Sequence, residues 1–256
     1  MSGTIFMIHG MWGNPWHWDN YRRVFEPAGY RCVAGTLPYH DMAPGGVPDP
    51  RLGTASLVDF ADALEGQIRE LGEPPILMGH SMGGLLAQIL ASRGLAKAAV
   101  LLTPASPAGI LAITPSVIRS FFSIMTTWGW WRKPTCQTFA EAAYSILHLV
   151  PEAEQRQVYE RGVYESGRAT FEIGFWPFDG RGAAKVDAAR LTCPVLVVGG
   201  SQDRITPASV VRQVAKKYRA AYREFPNHAH WVLGEPQWQE VAQYALAWLE
   251  SATPRS

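Results

Sequence analysis

The pentapeptide Gly79-His80-Ser81-Met82-Gly83 sets a serine between two glycines, where the short apolar run Ile76–Met78 gives way to an apolar helical pattern. Glycine or asparagine would make such a turn more easily, so the serine needs a chemical reason. A serine hydroxyl attacks only when a base takes its proton, and the base needs a third group to orient it. Both partner types occur downstream. Asp203 follows the apolar run "CPVLVVGG", and His228 and His230 lie between "YREFPN" and the last helical pattern. Serine, then aspartate, then histidine is one of the chain orders in which such a triad is built. The plainer reading of Ser81 is a helix cap. Asp41, Asp179 and Asp187 fall in other loops or in the insertion described below, and each reads as a solvated charge.

These groups must be held by a scaffold, and the chain supplies a regular one. Short apolar runs without alternation recur at Thr4–Ile8, Tyr30–Ala34, Ile76–Met78, Ala98–Leu102, Val195–Val198 and Ala221–Phe225. Strands covered on both faces read this way, as in a parallel sheet. Helical patterns lie between them, at Trp18–Glu26, Ala55–Leu71, Met82–Ser92, Pro207–Arg219 and Pro236–Leu249. Thr206-Pro207 reads as a cap followed by proline at the first helical position, and Gly94 suits a helix end. Alternating strands and helices predict an α/β fold with right-handed crossovers. Ser81 and Asp203 then both fall at carboxyl ends of strands, where open sheets bind their ligands.

The alternation fails once. Residues 105–183 read as successive helices, Ser116–Thr127, Thr138–His148 and Glu152–Glu165, with tryptophans gathered in "TTWGWWRKP". The expected organisation is a core of residues 1–104 and 184–256 with a helical cap of residues 105–183 inserted over the sheet edge. Trp12, Trp128, Trp130 and Trp131 are candidates for the wall of an apolar substrate pocket, the alternative being simple cap core. Arg168 and Glu172 stand four apart and favour a helical ion pair, the alternative being an arginine that reaches into the cleft for an anionic group. The loop "YHDMAPGGVPDPRLG" is long enough to border that cleft.

Over nearly its whole length the chain resembles the α/β-hydrolases, on "GHSMGG", the Asp203 loop and "AHWVLGEP". Within them it looks like the serine-nucleophile branch of carboxylesterases, monoacylglycerol lipases and cofactor-free perhydrolases. The usual antiparallel strands before "TIFMIHG" are missing, which implies a sheet of about six strands like that of the compact methylesterases. The resemblance favours His230 over His228 as the base. It implies an oxyanion hole built from backbone amides, one from Met82 and one from Met11 in "HGMWGNPWHW", with Trp12 as the alternative donor. His9 and His80 read as buried structural residues with satisfied rings, His17 as packing the first helix rather than ligating metal, and His148 as packing on an apolar helical face of the cap.

Composition narrows the rest. The chain has 256 residues, 47% apolar and 18% charged, as in a globular protein. A formal charge of +1 gives no electrostatic reason to expect nucleic acid. Cys32, Cys136 and Cys193 share no metal-like spacing, and their odd number argues against a disulfide framework. No signal peptide is visible, and no run approaches the ~20 apolar residues of a membrane helix. The expectation is a cytoplasmic enzyme of unstated oligomeric state, without metal or organic cofactor, whose partner is a small-molecule ester. Small-to-medium apolar or aromatic esters are expected, cleaved through an acyl-enzyme. A lactonase, thioesterase, perhydrolase or hydroxynitrile lyase would use the same residues, and a slow-turnover ligand receptor would share the fold.

Overall fold

The computed structural model describes residues 3–253. One sheet contains β1 (Thr4–Ile8), β2 (Arg31–Ala34), β3 (Ile76–His80), β4 (Ala98–Leu102), β7 (Val195–Gly200) and β8 (Ala221–Phe225). Their order is β2-β1-β3-β4-β7-β8, and every neighbouring pair is parallel. The six apolar runs of the sequence are thus the six strands of the sheet, with ends moved by a residue or two. Side chains alternate across a strand, so each strand feeds two cores. Phe6, Leu77, Leu101 and Val197 face α2 (Leu57–Arg69), α3 (Met82–Ser92) and α9 (Ala208–Tyr218). Ile5, Met78, Val100 and Leu196 face α1 (Asp19–Phe25) and α10 (Trp238–Ala252).

β8 departs from the expectation of a fully buried strand. It is an edge strand with one neighbour, and only Phe225 in it is buried; Arg223 and Glu224 alternate on the rim. Gly94 (φ +79) closes α3 with the paired bonds Leu95 N–H to Leu90 O and Gly94 N–H to Ala91 O. Thr206 does not cap α9, because Pro207 takes the cap position and the Thr206 hydroxyl is engaged elsewhere.

The segment between β4 and β7 carries α4 (Pro115–Ser120), α5 (Phe122–Thr126), α6 (Phe139–Ser145), α7 (Glu152–Glu160) and α8 (Gly167–Gly174). It also holds a small antiparallel pair absent from the sequence reading, β5 (Pro134–Thr135) with β6 (Glu165–Ser166). The helices are shorter than their sequence patterns. Phe121 leaves helical geometry and divides the first, and the third stops at Glu160, so that Glu165 lies in a strand.

Buried charge ties this segment to the core. The Glu172 carboxylate accepts from Ser56 Oγ at 2.9 Å and Leu57 N–H at 2.8 Å, at the start of α2. Arg168 donates to Glu172 at 2.6 Å and to Asp179 at 2.9 Å. Glu165 meets His40 at 3.1 Å, and Trp12 donates its indole N–H to Thr135 O at 3.2 Å. No described helix is long and apolar enough to cross a membrane.

Candidate active site

The turn from β3 into α3 is sharply strained. Ser81 sits at φ +54, ψ −121, a region that costs a side chain on the order of 1–3 kcal/mol. Neighbouring glycines make the turn feasible. A Cβ on Gly79 would lie 2.2 Å from Gly83 O, and one on Gly83 would lie 2.1 Å from Ile8 O. The loop after β1 comes equally close, since a Cβ on Gly10 would lie 2.8 Å from that of Ser81. Met11 therefore begins beside the serine.

The loops after β7 and β8 bring the other two groups in. His230 Nε2 lies 2.9 Å from Ser81 Oγ, and its Nδ1 lies 2.8 Å from Asp203 Oδ2. Asp203 is held in turn: Oδ1 accepts from the amides of Ile205 and Thr206, both at 2.8 Å, and Oδ2 from Thr206 Oγ1 at 2.7 Å. The His230 carbonyl accepts from His80 Nε2 at 2.8 Å and from Thr103 Oγ1 at 3.2 Å. Ser81, Asp203 and His230 are all buried. The arrangement can pass a proton from serine to a ring whose other nitrogen faces a fixed carboxylate.

His228 is turned away from Ser81. Its Nδ1 meets Glu235 at 2.8 Å, and the same carboxylate oxygen accepts from Ala229 N–H at 2.9 Å. Glu235 thus pins the loop that carries His230, a role the sequence reading missed although "GEP" stood out in it. Thr206, read only as a cap, is instead a ligand of Asp203. Its position three residues after the aspartate was the available signal.

Burial keeps the neighbouring histidines neutral. It lowers His80 to about 3, with the nearby His230 adding to the effect. Burial likewise lowers His9 to about 3, with His40 adding, and takes His17 well below its ordinary value. His9 and His80 differ from the expectation of satisfied rings: each bonds through one nitrogen, and His9 Nε2 and His80 Nδ1 have no partner among the described residues. His40 moves the other way. Burial opposes its charge, but the Glu165 charge and hydrogen bond raise it overall.

A void between the sheet and the segment joining β4 to β7 reaches Ser81 and has two lobes. The larger holds about 1220 Å³, open solvent at its mouth included, and is walled by Trp130, Ile124, Met125 and Ile173. The smaller and tighter one holds about 690 Å³, again with open solvent included, and is walled by Trp12, Trp16, Tyr159 and Trp231. Met11 and Ser81 line both lobes, and Met82 lines the larger.

Three expected pocket residues lie elsewhere. Trp128 is 85% exposed and stacks edge-on against Trp131, because it follows the end of α5 on the outer surface. Trp131 packs behind Trp130 and lines neither lobe. Arg168 is consumed by Glu172 and Asp179 and does not reach the cleft, so the ion-pair reading holds. Asp179 is correspondingly buried rather than solvated, whereas Asp41 and Asp187 are exposed. Among the described residues no group of three or more His, Cys, Asp or Glu is arranged to hold a metal ion.

The chain belongs to the alpha/beta hydrolase family, whose profile matches residues 5–244. No curated protein matches it in sequence. Among solved structures it is similar to a monoacylglycerol lipase of Paleococcus ferrophilus, with 23% identity, TM-score 0.71, and coverage of 98% of this chain and 95% of that one. A pyrethroid hydrolase from Sphingobium faniae shares 18% identity, with TM-score 0.72 and 98% of each chain covered. A methylesterase from Arabidopsis shares 11%, with TM-score 0.71 and coverage of 97% and 99%.

Proposed function

We propose that the protein is a serine hydrolase that cleaves carboxylic esters of apolar or aromatic character through an acyl-enzyme. The observation that carries this reading is the His230 ring set between Ser81 Oγ and Asp203, with the serine on a strained elbow at the floor of an apolar void. Ser81 Oγ attacks the ester carbon while His230 Nε2 takes its proton, and Asp203 stabilises the imidazolium. The amides of Met82 and Met11 hold the oxyanion: one opens α3, the other follows the close approach of Gly10 to Ser81. As the carbon–oxygen bond to the alcohol breaks, His230 returns the proton to that oxygen. Water then repeats the sequence, with His230 as base, and releases the acid. Trp12 and Trp130 belong to the walls of the binding void in this account. Similarity to a lipase, a methylesterase and a pyrethroid hydrolase is consistent with ester chemistry.

The test is a panel of p-nitrophenyl esters with a fluorophosphonate probe. The parent should hydrolyse the esters and be labelled at Ser81, and Ser81→Ala should lose both properties while keeping its circular dichroism spectrum. Esterase activity retained in Ser81→Ala would overturn the assignment.

A further inference from the structure

The two lobes over Ser81 differ in which reacting group each one contains. His230 lines only the smaller lobe, and Met82 lines only the larger; Met11, Ser81, Phe121 and Ile205 line both. If Ser81 and His230 act as proposed, this division fixes how an ester must lie. The alcohol oxygen has to receive its proton from His230 Nε2, so the alcohol must leave on the side of His230. The acyl carbon stays bonded to Ser81 Oγ, which lines both lobes, so with the alcohol side taken by the smaller lobe the acyl chain is left the larger one.

The walls of the lobes differ as well. The larger is mainly aliphatic, with Val117, Ile118, Ile124, Met125 and Ile173 along it. The smaller is richer in aromatic groups, although Ile146, Leu147 and Val158 also line it. His17 packs edge-on against Trp16 at 4.5 Å and against Trp231 at 4.6 Å, and Trp12 and Tyr159 complete the wall. Edge-to-face and offset contacts of this kind favour a flat ring over a flexible alkyl chain. Beside the proposed base His230, the other two histidines of this lobe, His17 and His80, are held neutral by burial, so those two offer no charge to an anionic group. We infer that the preferred substrates are aliphatic acyl esters of neutral arylmethyl alcohols, bound with the acyl chain in the larger lobe and the ring in the smaller.

This inference rests on the hydrolase reading, and a pair of isomers isolates it. Benzyl octanoate and heptyl phenylacetate contain the same atoms and have similar leaving alcohols, but they exchange the ring and the chain across the ester. Benzyl octanoate should show the higher kcat/KM by about tenfold or more, because each methylene well placed in an apolar wall is worth a few-fold. Ile173→Trp, which fills the larger lobe, should lower the ratio of benzyl octanoate to benzyl acetate. Val158→Trp, which fills the smaller, should lower the ratio of benzyl octanoate to methyl octanoate. Equal rates for the two isomers, a preference for heptyl phenylacetate, or exchange of the two variant effects would overturn the orientation while leaving ester hydrolysis intact. Failure to hydrolyse any ester, p-nitrophenyl acetate included, would instead remove the hydrolase reading beneath it.

Discussion

The sheet core and the cap segment are assembled by different forces. In the core, β1, β3, β4 and β7 are buried along their whole length, and aliphatic side chains fill both faces. The segment between β4 and β7 adds to its apolar contacts with that core two buried carboxylates, Glu172 on the start of α2 and Glu165 against His40, and Arg168 braces Glu172 and Asp179 within the segment. Apolar burial is non-directional and tolerates repacking, whereas a buried ion needs every partner in place. The core therefore fixes where the serine, aspartate and histidine stand. The ions bear on how Trp130 and Tyr159 stand over them, while Trp12, Trp16 and Trp231 come from the core's own loops.

Four substitutions or titrations sharpen this contrast. The largest effects belong to the core. His230→Ala should lower kcat by a factor on the order of 10⁴–10⁶, as for other triad members, and His228→Ala should cost far less because His228 faces Glu235. Reversal of the two in steady-state kinetics would break the assignment of the base. Next comes the loop after β1. Met11→Pro, which deletes an amide donor, should cost roughly 10²–10³ in kcat, and Met11→Ala, which keeps it, should chiefly alter ester preference. Equal losses would show that the thioether, not the amide, matters there.

A third substitution addresses the anchor. Glu172→Ala leaves Ser56 Oγ and the Leu57 amide without their carboxylate and frees one side of Arg168. Urea unfolding should report a loss of about 3–5 kcal/mol. A change near zero would mean that packing alone holds the cap segment.

The smallest effect distinguishes the regions by pH. His9, His17 and His80 have lowered values in the fold, so the unfolded chain binds more protons as pH falls through about 6.5, and stability should decline from there downward. His40 acts with the opposite sign. Its raised value adds stability below its ordinary range, and that contribution is lost as pH rises through the raised value. Urea titrations should show His17→Phe flattening the acid decline by about 1.4 kcal/mol per pH unit below about 6.5, and His40→Phe abolishing the gain in stability as pH falls from the raised value to about 6.5, with no change of slope below it. Identical slopes in both variants would contradict the assigned charges.

The same contrast explains what could be read from the sequence. Ile76–Met78 and the runs of β1, β4 and β7 announce a parallel sheet because burial on both faces leaves no polar position to mask the pattern, whereas the edge strands β2 and β8 carry Arg31, Arg223 and Glu224. "GHSMGG", the Asp203 loop and "AHWVLGEP" stand at strand ends, so the meeting of Ser81, Asp203 and His230 could be anticipated from chain order. The cap segment resisted the same reading. Its helices are interrupted by contacts from distant residues, such as the His40–Glu165 pair that joins positions far apart in sequence. Trp128, Trp130 and Trp131 look alike in "TTWGWW", yet only Trp130 turns toward the void. Spacing within a short loop does not reveal which indole faces inward.

The central claim is that Ser81 carries the acyl group during turnover. Rapid quenching of the parent enzyme with p-nitrophenyl butyrate, followed by peptide mass mapping, tests it directly. A butyryl adduct should appear on the Ser81 peptide during the burst of p-nitrophenol and decay at the steady-state rate. Turnover with no adduct on Ser81, or with the adduct on another residue, would contradict the account.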